Sequence, residues 1–278
     1  MRTRRFIQCD VFSPEPVRGN ALAVVVDGAG LSDVEMQRFA AWTNLAETTF
    51  LLPPSDASAD YRVRIWTPTR EMLFAGHPTL GSCAAWLHCG GVPREPGVVR
   101  QECGVGVVDV DISAAQYAFV APPTRIDEMD LDTRSAILDV LEIPETSVVT
   151  SAQLSNGPVF QMFELTSAEA VLAVDSSRVR WPTFKAIGLF GPFAHESDCD
   201  FEIRHVAPSS GMSEDPITGS MNAALAHWLQ AQGRLERPVT VAQGTVIDRY
   251  GRVSIVPDGD RVLVGGDTHI LIDGEVTL

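Results

Sequence analysis

Apolar residues recur along this chain in two rhythms. Most segments alternate apolar and polar positions over short stretches, the period of half-buried strands. Two segments, around Leu80 and around Met221, instead carry apolar residues at helical spacing with little polar relief, which predicts helices buried on all sides.

The first half opens with a strand over Arg5–Val11, a turn at Arg18-Gly19-Asn20 and an apolar strand over Ala21–Val26. Ser32 followed by Glu35 has the spacing of a capping box, so a helix carrying Met36, Phe39 and Ala40 starts there and ends near Asn44. A strand over Thr48–Leu52 follows, then one in which Tyr61, Val63 and Ile65 alternate with Arg62, Arg64 and Trp66. Leu80, Cys83, Ala84 and Leu87 give the first buried helix.

The second half predicts a similar order. Strands are expected at Gln116–Val120, Val148–Gln153 and Val159–Leu165, and helices at Thr133–Leu141, Ala168–Val174 and Trp181–Ile187. Phe201, Ile203 and His205 then alternate with Glu202 and Arg204, ahead of a second buried helix carrying Met221, Ala224, Leu225 and Trp228. Valine-rich strands near Val105–Val110, Val239–Val241, Arg252–Val256 and Arg261–Val264 complete a β-rich pattern. The expected fold is α+β: two pseudo-symmetric domains, each a β-barrel-like sheet wrapped around a central helix, rather than βαβ units.

A repeat supports the two halves. His77-Pro78-Thr79-Leu80-Gly81-Ser82 precedes CAAWL, and 138 residues later Asp215-Pro216-Ile217-Thr218-Gly219-Ser220 precedes MNAAL, in a chain of 278 residues. Arg64 to Pro68 and Arg204 to Pro208 extend the match upstream. The boundary is expected at Ile112–Gln116, dividing residues 1–113 from 114–265, with the stretch from about 266 to 278 returning to the first domain.

Composition removes several function classes. Net charge is −15 with no basic run to track a phosphate backbone, so no nucleic-acid partner is expected. No apolar run has the length of a membrane helix, and the basic start MRTRRFIQCD leads into a strand, so a cytoplasmic location is expected. The five cysteines are odd in number and lack a CxxC pair, which argues against a disulfide framework or a zinc site. Lys185 is the sole lysine and its context, PTFKAIG, gives no sign of imine chemistry.

Gly-Ser in the first turn of each repeated helix would leave backbone N–H groups pointing forward, which favours a carboxylate or phosphate. Ser82 and Ser220 could equally be simple caps. In the repeat, His77 and Asp215 occupy matching places, where a facing pair could exchange protons or bind substrate. Glu214 reads as a solvated loop charge. Glu47, in NLAETTF, stands at a helix-to-strand turn with apolar neighbours; it is either a surface charge or a carboxylate of raised pKa. The corresponding turn of the second half is read as Ser155-Asn156-Gly157-Pro158, with no carboxylate to match.

ETTF (Glu47–Phe50), FAGHPTLG (Phe74–Gly81), EDPITGS (Glu214–Ser220), the early Gly19-Asn20 and the late Gln243-Gly244 resemble, in order, the motifs of the PhzF-like family of phenazine-biosynthesis proteins, within the diaminopimelate epimerase-like fold. The resemblance runs essentially end to end. It implies a homodimeric isomerase that uses no cofactor or metal and has an active cleft between the domains. Glu47 would move a proton on a small carboxylate substrate, with His77 and Asp215 assisting. Gly76, Gly219 and Ser220 would hold the carboxylate, and Asn20 belongs to the substrate-binding set.

The chain departs from the pattern at Ala21 after Asn20 and at Asp248 before Arg249. Racemases of this fold use two cysteines at the helix entrances, where this chain has Ala75 and Pro216. A two-base racemase or epimerase and a non-catalytic carboxylate-binding protein are the rival readings. Trp42, Trp66, Tyr61 and Phe163 are the aromatic candidates for the cleft wall.

Overall fold

The two apolar helices lie where a doubly wrapped sheet needs its filling. The structure, a computed structural model, describes residues 2–194, 197–208 and 212–278. The first half contains β1 (Thr3–Val11), β2 (Asn20–Val25), α1 (Asp33–Thr43), β3 (Glu47–Leu52), β4 (Tyr61–Trp66), β5 (Glu71–Met72), α2 (Gly76–His88), β6 (Val98–Cys103), β7 (Gly106–Asp111) and β8 (Tyr117–Val120). The second runs through β9 (Arg125–Asp127), α3 (Leu131–Leu141), β10 (Val148–Ser155), β11 (Val159–Leu165), α4 (Ala168–Leu172), β12 (Ile187–Pro192), β13 (Phe201–Val206) and β14 (Glu214–Asp215). It closes with α5 (Gly219–Ala231), β15 (Val239–Gln243), β16 (Gly251–Asp258), β17 (Arg261–Gly266) and β18 (Thr268–Thr277).

The strand pairings of the halves match. β1 and β2 form an antiparallel hairpin with β3 parallel to β2, and β10 and β11 form one with β12 parallel to β11. β4 then joins β3, as β13 joins β12. The halves are sewn together twice. β8 pairs with β7 and with β17, and β18 runs antiparallel across the length of β1.

Local chemistry accounts for the element ends. Ser32 accepts from the Glu35 backbone N–H and Glu35 reaches back to Ser32, a complete capping box, and Asn44 closes α1 in the left-handed conformation at φ 55°. Asp130 caps α3 in the same manner, accepting from the Thr133 N–H. β2 reads NALAVV because both of its faces are covered: Val24 turns inward to the core around α2, and Val25 outward to Met36, Phe39 and Phe50 beneath α1. In the second half, α3 and α4 cover the outer face through Ile137, Leu141 and Val171, in one cluster with Leu189 of β12.

The structure corrects the prediction of a helix at Trp181–Ile187. Pro182 lacks an N–H donor, and Ile187–Pro192 is claimed as a strand between β11 and β13. The sequence pattern gives no strand at β6. The cysteines Cys9, Cys83, Cys89, Cys103 and Cys199 are free.

Candidate active site

The N-terminal ends of α2 and α5 meet head to head. A Cβ placed on Gly76 would lie 2.6 Å from the Cα of Gly219, and one on Gly219 would lie 2.8 Å from the Cα of Gly76. Only glycine at both places permits this approach, and it aims two sets of first-turn N–H groups into one region. The ends are unequal donors, because Pro78 removes one N–H from the first turn of α2 whereas Gly219, Ser220 and Met221 each keep theirs.

Around this junction the structure gathers Asn20, Glu47, His77 and Asp215 from four separate elements. Asn20 Nδ2 donates to Ile217 O at 2.8 Å, which fixes the orientation of its amide. The same nitrogen lies 3.1 Å from Asp215 Oδ1 and 3.2 Å from His77 Nδ1. His77 Nδ1 therefore faces a donor and must be unprotonated, so the ring proton of the neutral form sits on Nε2. That Nε2 points to Glu47 Oε2 at 3.5 Å. Glu47 opens β3, immediately after the turn that ends α1.

Burial decides the protonation states. It raises Glu47 well above the ordinary carboxylate range, and the nearby charge of Asp215 adds to the rise. His77 is pushed down to about 4 by burial, which outweighs the opposing pull of Asp215, and it is neutral at physiological pH. For Asp215 burial acts upward, but the hydrogen bonds it receives from His205 and Thr218 bring it below the usual value. The site thus holds one carboxyl that resists ionisation beside one that stays ionised.

The expected equivalence of His77 and Asp215 does not hold. α2 starts at Gly76 and α5 at Gly219, so the structural offset there is 143 residues, and the partner of His77 is Ser220. Asp215 sits in β14 opposite His205, in the place of Met72 in β5 opposite Ile65. One connection changes the offset: four residues separate Trp66 from Glu71, but seven separate Val206 from Glu214. The strands before it are offset by 140 residues and the elements after it by 143, so the 138-residue motif match is out of register with the fold on both sides.

Other readings change with it. Ser82 is in the second turn of α2 and donates to Thr49 Oγ1 within the core, away from the junction. The N-caps are Ala75 and Thr218, neither with a side-chain cap bond, so the entrance matching Ala75 is Thr218 and not Pro216. Glu214 is buried rather than solvated, in a double hydrogen bond with Arg204 at 3.0 and 2.7 Å. Arg64 and Glu71 repeat that pair in the first half. The turn Ser155–Pro158 matches the β1–β2 connection; pairing puts Ile187 opposite Gln161 where Glu47 stands opposite Leu22, so Glu47 still has no acidic twin.

A cavity of about 500 Å³ opens over the junction, with Glu47, Ala75, His205, Asp215, Thr218 and Ser220 among its lining residues. Trp181 and Phe160 supply its aromatic surface, and none of the four aromatic candidates reaches it. Tyr61 and Phe163 are core residues, Trp66 packs under α1, and Trp42 is exposed on the far side. Lys185, read as unremarkable, also lines the cavity, 5.9 Å from the Trp181 ring. His205 was legible only as one member of an alternating strand; no sequence signal set it apart. Among the described residues no cluster of three or more His, Cys, Asp or Glu side chains could hold a metal ion.

Comparison with known proteins agrees with this geometry. The model of the phenazine biosynthesis-like protein family, PhzC-PhzF, matches residues 9–274. The protein "Antisense-enhancing sequence 1" of Schizosaccharomyces pombe is 32% identical, with 99% of each chain covered. The trans-2,3-dihydro-3-hydroxyanthranilate isomerase of Pseudomonas fluorescens is 28% identical over 98% of this chain and 99% of its own. Among solved structures, a PhzF-family phenazine biosynthesis protein from Bacillus anthracis has the same fold over the whole of both chains, with a TM-score of 0.82 at 21% identity.

Proposed function

The chain belongs to the phenazine biosynthesis-like family, and from that premise we propose that it is an isomerase moving a proton on a small carboxylate held between its two halves. The observation that carries this reading is the Glu47 carboxyl, raised in pKa by burial, on the wall of a cavity floored by two helix N-termini.

A carboxyl with raised proton affinity both gives and takes a proton near neutral pH. In its ionised form Glu47 would remove a proton from one carbon, the double-bond electrons would shift along the substrate, and the same proton would return at another carbon, leaving the carboxylate for the next cycle. The Nε2–H of His77 faces Glu47 Oε2 across 3.5 Å, where it would meet the carboxylate form on a small approach, and Asn20 holds His77 in that tautomer. Negative charge on the substrate and in the transition state would be met by the N–H groups at Gly76, Gly219 and Ser220. Asp215 stays ionised, and its charge keeps the Glu47 proton affinity high. None of these steps calls on a metal or other cofactor. The proposal extends to a homodimeric assembly and a cytoplasmic location; no described helix is long and apolar enough to cross a membrane.

The test is conversion and deuterium uptake in deuterated water, read by mass spectrometry, for trans-2,3-dihydro-3-hydroxyanthranilate and a panel of small cyclic carboxylates. Glu47→Gln should lower turnover by roughly 10²–10⁴-fold, the usual weight of a positioned acid/base, with affinity nearly intact. Turnover at the wild-type rate in that variant would overturn the assignment.

A further inference from the structure

His205 stands on the cavity wall with Glu47, yet the proton transfer above does not use its ring. The residue is 7% exposed, its Nδ1 lies 3.0 Å from Thr218 Oγ1, and its Nε2 has no hydrogen-bond partner among the described residues. The surrounding network settles which nitrogen carries the proton.

Thr218 N–H donates to Gln243 Oε1 at 2.9 Å, and a backbone N–H can only donate, so the orientation of the Gln243 amide is fixed. Asn222 Nδ2, which itself donates to Thr218 O, adds a second donor to the same oxygen at 3.1 Å. Gln243 Nε2 must then donate to Thr218 Oγ1, 3.1 Å away. The single hydroxyl proton of Thr218 goes to Asp215 Oδ2, because an ionised carboxylate only accepts. What remains on Thr218 Oγ1 is a lone pair. His205 Nδ1 can satisfy it only by donating, so the tautomer that fits the network has its proton on Nδ1 and a bare acceptor at Nε2. His77 shows the reverse, with Nδ1 bare and Nε2 protonated.

A buried acceptor without a partner is unfavourable until a donor reaches it. In the first half the matching residues are Ile65 and Met72, both apolar, so this imidazole acceptor has no twin there. Gln161 Oε1, also without a partner on this wall, is a weaker indicator because its amide can turn to present a donor.

We propose that His205 Nε2 accepts a hydrogen bond from a hydroxyl or amino group of the substrate, which makes His205 the residue that selects donor-bearing carboxylates over plain ones. This rests on the cavity being the substrate site.

Two measurements test it. Imidazole ¹⁵N NMR of the free protein, with the His205 signals assigned by their loss in His205→Gln, should show Nδ1 protonated and Nε2 bare, and Thr218→Val should release that preference. Calorimetric titration with benzoate and its 2-amino, 2-hydroxy and 3-hydroxy derivatives should then find a donor-bearing member bound about ten-fold more tightly than benzoate. A ten-fold preference matches one hydrogen bond to a previously unpaired buried group. His205→Met should bring the preference to within about two-fold without changing benzoate affinity, whereas His205→Gln, which keeps an acceptor, should retain part of it. A proton on Nε2 in the free protein, no preference in the wild type, or a preference unchanged in His205→Met would overturn the proposal. Intact His205 behaviour with turnover independent of Glu47 would instead overturn the isomerase reading alone.

Discussion

Gly76 and Gly219 open their helices in direct backbone contact, so close that a methyl group on either would fall within 2.6–2.8 Å of the other's main chain. Two helix ends of like polarity are thereby held together where their partial positive charges do not offset each other. Such an arrangement is unfavourable when empty and suited to an anion.

Gly76→Ala is therefore expected to force the two ends apart. The obstruction is backbone and not a flexible side chain, so it cannot yield cheaply; a loss of about 1–3 kcal/mol of stability is expected, as for other overpacked sites. Carboxylate binding should fall more than this destabilisation explains. Denaturant unfolding and calorimetric titration of the same variant separate the two effects, and wild-type affinity in a folded Gly76→Ala protein would contradict the junction's role.

Glu47 and His77 predict opposite pH trends in stability. The folded-state pKa of Glu47 lies well above its unfolded value, so the folded protein holds an extra proton, and stability falls as pH rises from about 5. Glu47→Gln should remove this loss, which is at most about 1.4 kcal/mol per pH unit. His77 is depressed to about 4 from an unfolded value near 6.5, so its contribution is present above pH 6.5 and lost as pH falls toward 4. His77→Asn should flatten that acid limb by on the order of 3 kcal/mol. Urea midpoints between pH 4 and 8 check both, and parallel curves for the wild type and both variants would refute the assignments.

The two arginine–glutamate pairs are a matched experiment supplied by the duplication. Arg204 and Glu214 have side chains 2% and 0% exposed, against 18% and 37% for Arg64 and Glu71. Arg204→Met leaves the Glu214 charge buried and should cost about 3–5 kcal/mol. Arg64→Met, in the more solvated pair, should cost about 1 kcal/mol or less. Equal losses in thermal unfolding would show that burial does not separate them.

What the sequence determined by itself was local. The Ser32–Glu35 box, the Asn44 stop, the alternation through Tyr61–Trp66 and the two apolar helices depend on neighbours within one or two turns, and all are present. The motifs were likewise enough to mark Glu47, His77, Asp215 and the glycines as the residues to watch.

Tertiary structure alone decided the register between the halves, since three extra residues in one loop move the offset from 140 to 143 without altering either motif. It also made Ile187–Pro192 a strand, because a segment with neighbours on both sides gains ladder hydrogen bonds and burial. The tautomer of His205 and the lowered pKa of Asp215 depend on Thr218, and that of His205 on Gln243 as well. Those partners lie 13 and 38 residues from His205 along the chain. Charge, burial and hydrogen bonding between distant residues act only once the chain is folded, and that is why half of the candidate site was silent in the sequence.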